Sequence, residues 1–139
     1  MREVAILGVG QTPVREHWEM SLRALAVEAG RAALADAGVD KVDAIYVSNM
    51  NSDRLVGQRH LGPLVADYLG QRGVEAVKLE AACGSAGSAM RQGMMAVASG
   101  ELERVLVIGA EKLTETPHQE TTAALATAAD ADFAVEQGI

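Results

Sequence analysis

The chain has 139 residues, 49% of them hydrophobic and 22% charged, a balance that suits one globular α/β domain and excludes a chain disordered by composition. Its formal net charge of −7, with no basic stripe anywhere along it, excludes the footprint of a nucleic-acid binder, which must neutralise phosphates. A single cysteine excludes an internal disulfide and, with three scattered histidines, gives no metal-site spacing, so no metal is expected.

In chain order, Arg2 to Val9 is a short, β-branched apolar run that reads as a buried strand stopping at the turn Gly8-Val9-Gly10. It is too short for a secretory apolar core, and nothing further along approaches a membrane-spanning length. The expected setting is the cytoplasm. After a polar loop, Leu22, Leu25, Ala26, Ala29, Ala33 and Ala37 recur at helical spacing, with Ser21 as N-cap and Gly38 as stop. Ala44 to Asn49 reads as a second strand, Leu61 to Leu69 as a second amphipathic helix ending at Gly70, and Ala76 to Glu80 as a third strand. A third helix begins just after Cys83 and runs to about Ser99, with Gly100 as its stop. Its residues Ala86, Ala89, Met90, Met94, Ala96, Val97 and Ala98 are apolar on nearly every side, which predicts burial between layers, with the methionines filling the core. Arg104 to Ala110 is a fourth strand. The alternation β-α-β-α-β-α-β predicts an α/β fold with a largely parallel sheet and helices on both faces. Beyond Glu111 the pattern fades, and Thr114 to Ala134 reads as a loop, a loose helix or an excursion toward another domain.

The chemistry-bearing candidate is Cys83. The segment Leu79-Glu80-Ala81-Ala82-Cys83-Gly84-Ser85 places it between a strand end and the first turn of a helix, where free amides and the helix dipole favour a thiolate. Open α/β sheets also bind ligands at the carboxyl ends of their strands. Position alone leaves two readings open: a nucleophile, or a small buried hydrophobe of the kind most unpaired cysteines are. Gly8-Val9-Gly10 is a poor dinucleotide fingerprint, because Pro13 takes the third glycine position and a polar loop follows instead of a helix. Glu111 and Lys112 form either a local pair beside the site or part of a solvated surface.

Three segments carry a family likeness: Ala81-Ala82-Cys83-Gly84-Ser85-Ala86-Gly87, the opening Val4 to Pro13, and Val107-Ile108-Gly109-Ala110-Glu111-Lys112. Together they resemble the thiolase superfamily, in particular the thiolases related to sterol carrier protein X and their bacterial and archaeal relatives. The resemblance runs from Arg2 to about Lys112. It implies a layered thiolase-type fold, here its N-terminal half, with a five-stranded mixed sheet. It implies that Cys83 accepts an acyl group from a coenzyme A thioester, forming an acyl-enzyme, while the amide of the same residue helps hold the thioester oxyanion. Coenzyme A thioester is then the substrate, and no separate cofactor is expected.

The resemblance also implies histidine motifs in a C-terminal half that this sequence lacks, and His17, His60 and His118 do not stand in such settings. Residues 1–112 are expected to form the N-terminal α/β domain and 113–139 the start of a loop excursion. The chain is expected to be a fragment, or one member of a split pair, inactive without the other half. Its expected partners are acyl-CoA or CoA and either a second copy or a complementary subunit, with no nucleic acid and no membrane. The alternatives are a non-catalytic thiolase-like subunit that scaffolds a complex, and a thiolase-like aldolase or ketoacyl synthase.

Overall fold

Helix α1 spans Leu22–Ala37 and begins where the sequence puts its cap. The Ser21 hydroxyl accepts the Ala24 N–H at 3.1 Å, and Gly38 closes the helix in the left-handed region at φ 63°. This is a computed structural model, describing residues 2–133. Strand β1, Ala44–Ser48, follows, then a short helix α2, Ser52–Leu55, and helix α3, Leu61–Tyr68. Strand β2, Glu75–Leu79, leads through a 3-10 turn at Ala82–Gly84 into helix α4, Ser85–Ser99. Strand β3, Val105–Gly109, and helix α5, His118–Ala126, complete the described elements.

The sheet is parallel throughout, in the order β2-β1-β3, with Ala44 level with both Glu75 and Val105. β1 is central, and all five of its residues are buried, as expected of a parallel strand covered on both faces. α1 and α3 cover one face. Leu22, Ala26, Leu61 and Val65 meet Ile45, Val47, Leu106 and Ile108 there. α4 covers the other face, where Ala89 packs with Ala44 and Tyr46 and against Val77, Val105 and Val107. Ile45, Val47, Leu61 and Val65 are wholly excluded from water, and each such side chain contributes about 1.5–3 kcal/mol of transfer free energy. The expected α/β architecture with helices on both faces is therefore the observed one.

The expected five-stranded mixed sheet is, among the described residues, a three-stranded and wholly parallel one, and two further expectations fail in detail. Residues 2–10 form no strand. The Arg2 N–H donates to the Ala98 carbonyl at 3.0 Å and the Val9 N–H to the Asp36 carboxylate at 2.9 Å, so the segment is tied to the helices rather than to a neighbouring strand. Gly8 and Gly10 lie directly on α1. A Cβ on Gly8 would stand 2.4 Å from the Ala37 nitrogen, and one on Gly10 2.4 Å from the Ala29 oxygen, so glycine is needed there for close approach rather than for a phosphate turn.

The second correction concerns α4, which is not buried all round. Ser85, Ala89, Gly93 and Ala98 form its buried stripe, while Met90 and Met94 are 52% and 49% exposed rather than core filling. Only the sheet side of this helix is covered among the described residues. Smaller differences lie in the loops. Residues 49–55 contain the single turn α2, and the weakly patterned tail forms α5, whose Ala124 is fully buried. No helix among the described residues is long and apolar enough to cross a membrane.

Candidate functional site

Parallel strands deliver their carboxyl ends to one edge, and here that edge gathers three connections: Asn49 to Asn51 after β1, Glu80 to Gly84 after β2, and Ala110 to Lys112 after β3. They are cross-linked. The Asn49 N–H donates to the Leu79 carbonyl at 3.2 Å, the Ala110 N–H to the Ser48 carbonyl at 3.2 Å, and the Asn49 side-chain amide to the Ala110 carbonyl at 2.8 Å.

Cys83 sits on this edge, within the 3-10 turn that runs directly into α4, and its thiol is exposed. Cys83 is therefore not a buried core residue among the described residues. The turn is held from both ends. The Glu80 carboxylate accepts the Ala82 N–H, and the Ser85 hydroxyl accepts the Ala81 N–H at 2.9 Å while donating to the Ala82 carbonyl at 2.6 Å. Ala82 is the one non-glycine residue with positive φ among the described residues, at 48°, a conformation that costs an L-residue about 1–2 kcal/mol. That bend ends the extended chain after Leu79 and turns Cys83 outward. Among the described residues the Cys83 N–H donates to no acceptor, so an unused donor stands on the same residue as the thiol. Ala81, Gly84, Ala86 and Gly87 are all exposed beside it, leaving an approach for a planar thioester.

Glu111 is the residue whose role sequence reasoning missed. It does not pair with Lys112. Its carboxylate accepts the Asn49 side-chain amide at 2.9 Å and the N–H groups of Met50 and Asn51 at 2.9 and 3.2 Å, fixing the loop after β1. Lys112 is buried and turned the other way, donating to the Met20 carbonyl and the Glu115 carboxylate. The adjacency of two opposite charges suggested a pair. A carboxylate just past a strand end, opposite a loop of free amides, was the available signal.

None of the three histidines bonds to Cys83 among the described residues. His17 is buried, with Nε2 2.7 Å from the Pro13 carbonyl oxygen; His60 immediately precedes α3 without a side-chain capping bond, and His118 opens α5. No group of three or more His, Cys, Asp or Glu side chains among the described residues is placed to hold a metal ion. The described residues form a concavity of about 300 Å³ beside Thr12 to Arg15 and another of about 550 Å³ between the N-terminal segment and β3. Neither reaches Cys83.

The comparison with known protein families is decisive. The model described as thiolase, N-terminal domain, matches residues 4–138. The chain belongs to the thiolase family. Acetyl-CoA acetyltransferase of Methanothermobacter thermautotrophicus is 43% identical over 141 aligned residues, covering 100% of this chain and 36% of that protein. Acetyl-CoA acetyltransferase of Methanocaldococcus jannaschii is also 43% identical, covering 96% and 34%. Among solved structures, 3-oxoacyl-[acyl-carrier-protein] synthase III from Aquifex aeolicus superposes with a TM-score of 0.66 at 29% identity, covering 78% of this chain and 35% of that one. This thiolase-family chain thus spans about a third of the length of the curated relatives it matches. The likeness expected from the Cys83 segment is the family that the whole chain matches.

Proposed function

We propose that Cys83 is the nucleophile of an acyl-CoA acyltransferase of the acetyl-CoA acetyltransferase type, working in an enzyme completed by the remaining two thirds of the fold. The observation that carries the proposal is the exposed thiol on a bent turn at the start of α4, with its own amide free. The thiolate attacks the carbonyl carbon of the thioester. A tetrahedral oxyanion forms, and the free Cys83 N–H is placed to stabilise it. Collapse expels the CoA thiolate, which takes up a proton, and leaves the acyl group on sulfur. One thioester replaces another, so the acyl group keeps its activation for transfer to CoA or to a carbanion. The base that takes the thiol proton comes from outside the described residues. Coenzyme A thioester is the substrate in this scheme, no further cofactor enters, and the setting is cytoplasmic.

A related reading has a specific observation in its favour. The structural likeness to a 3-oxoacyl-[acyl-carrier-protein] synthase supports the same acyl-cysteine donating to a carrier-bound carbanion instead of to CoA. The two differ in acceptor and not in the first step. The test is intact-mass analysis of the completed enzyme after brief exposure to acetyl-CoA without acceptor. One acetyl group on the peptide containing Cys83 is expected, and none in Cys83→Ala; equal labelling of that variant refutes the assignment. Product analysis with free CoA or an acyl carrier protein as acceptor then separates thiolysis from ketoacyl synthesis.

A further inference from the structure

Around Cys83 the backbone donors are almost all spent. The Ala81 N–H goes to the Ser85 hydroxyl at 2.9 Å, the Ala82 N–H to the Glu80 carboxylate, the Gly84 N–H to the Ala81 carbonyl at 2.8 Å and the Ser85 N–H to the Ala82 carbonyl. From Ala81 to Ser85, the amide of Cys83 is the one that donates to nothing among the described residues. Its direction is set as well. In a trans peptide plane the carbonyl and the following N–H point opposite ways, and the Ala82 carbonyl is drawn into the turn by the Ser85 hydroxyl at 2.6 Å. The Cys83 N–H, at the other end of that plane, therefore points away from Ser85.

Ala82 is the joint between this plane and the one before it, and its φ of 48° lies in the region that L-residues avoid. An alanine keeps such a conformation only where the planes on both sides are held. Ser85, itself buried, holds the later plane. The earlier plane is held at its carbonyl by Gly84 and at its N–H by Glu80. Glu80 is exposed, and this bond is the one contact of its carboxylate with a hydrogen-bond donor among the described residues. An acid that stabilised the fold by packing or by an ion pair would be placed otherwise.

We propose that Glu80 is a positioning residue for the acyl-transfer step: by occupying the Ala82 N–H, its carboxylate keeps the Cys83 amide as the single free donor of the turn, aimed at the carbonyl under attack. The role rests on Cys83 being the nucleophile and on its amide stabilising the oxyanion. Glu80 touches neither sulfur nor thioester and acts through the turn. Without it the Ala82 N–H is a second free donor, and Ala82 is released toward negative φ, which swings the plane that carries the Cys83 N–H. The thiol is exposed in both arrangements, so its access to small reagents does not depend on Glu80. The acceptor matters here and the charge does not, so an uncharged oxygen on the same stem does the same work.

The test uses the full chain and two reagents that consume the same thiolate. Acetyl transfer from p-nitrophenyl acetate forms the bond from Sγ to the acetyl carbon and expels p-nitrophenolate through a tetrahedral oxyanion. Alkylation by iodoacetamide forms a thioether and expels iodide at a saturated carbon, with no oxyanion. The ratio of the two rates, referred to that of N-acetylcysteine, cancels the ionisation of the thiol and reads the donor. For the unmutated chain a ratio about tenfold above the small thiol is expected, below the full effect of a buried oxyanion donor because the turn is exposed. Glu80→Ala should bring it to within about twofold of the small thiol with alkylation unchanged, and Glu80→Gln should restore it. If the unmutated ratio already equals that of N-acetylcysteine, the oxyanion role of the Cys83 amide fails and Glu80 loses its role with it. If the ratio is raised and Glu80→Ala keeps it, the reading of Cys83 stands and the assignment of Glu80 is overturned. A fall of both rates together in Glu80→Ala overturns it too, since Glu80 would then govern access to the thiol and not the direction of the amide.

Discussion

Replacing Glu111 by Ala removes the acceptor that holds the loop after β1. Three donors converge on this carboxylate, from the Asn49 side chain and the N–H groups of Met50 and Asn51, at 2.9–3.2 Å. Asn49 and Asn51 are 2% and 3% exposed, so water does not readily replace the lost partner. Glu111 itself is exposed, which argues for a value per bond nearer the neutral figure of about 1 kcal/mol than the charged one. Asn49 also keeps its bond to the Ala110 carbonyl at 2.8 Å. The expected cost is then about 2–3 kcal/mol. At roughly 2.1 cal/mol/K of unfolding entropy per residue, this corresponds to a fall in Tm of about 7–10 °C. Glu111→Gln keeps one acceptor oxygen and should lose about half as much. Thermal denaturation followed by circular dichroism measures both, and hydrogen exchange at Met50 and Asn51 should accelerate in parallel. A drop below about 2 °C in Glu111→Ala, with those amides still protected, would show that the loop is held by something other than this carboxylate.

Two further substitutions probe the same edge and the opposite end of the sheet. Ala82→Gly relieves the positive φ of 48°; the left-handed cost of about 1–2 kcal/mol, set against about 0.5–1 kcal/mol of added unfolded-state freedom, predicts a chain more stable by roughly 0.5 kcal/mol. In the completed enzyme, the same change should slow acylation of Cys83, because the turn no longer has one preferred shape; a loss of several degrees in Tm would contradict the assignment of strain. Asp43 accepts the N–H groups of Arg104 and Glu103, each at 2.9 Å, and these bonds hold its carboxyl below the usual range. A depressed folded value means stability that is present above the unfolded value of about 3.8 and lost as pH falls through the folded one. Asp43→Asn should therefore melt lower than the unmutated chain at neutral pH, with the gap closing in acid below about pH 4; a gap independent of pH would assign the effect to packing instead of charge.

Helices and central strands were legible because their signals are local. Ser21 and Gly38 bracket α1 with side-chain and backbone geometry that needs nothing distant, and Ala44 to Asn49 reads as a strand from its own residues. Cys83 was legible as a helix-start residue for the same reason. The contacts of Glu111 were not, since its partners lie about sixty positions earlier in the chain and only the parallel register brings them level. Nor does any local pattern foretell the left-handed turn at Ala82, where alanine replaces the glycine that such a φ would favour.

The two failed expectations share a cause. Arg2 to Val9 has the composition of a buried strand, and α4 has apolar residues nearly all round, yet Ile6 is 76% exposed and Met90 52% exposed. Hydrophobic patterning records the surroundings a segment has in its finished assembly, and transfer free energy gives no reason to place so many large side chains at the surface otherwise. The mismatches are also neighbours, since Val4 to Gly10, Met90 and Met94 line one groove beside the uncharged edge of β3. Strand-like sequence without a strand and core-like helix without full cover thus meet at one groove, where the pattern in the sequence and the exposure of the side chains disagree most.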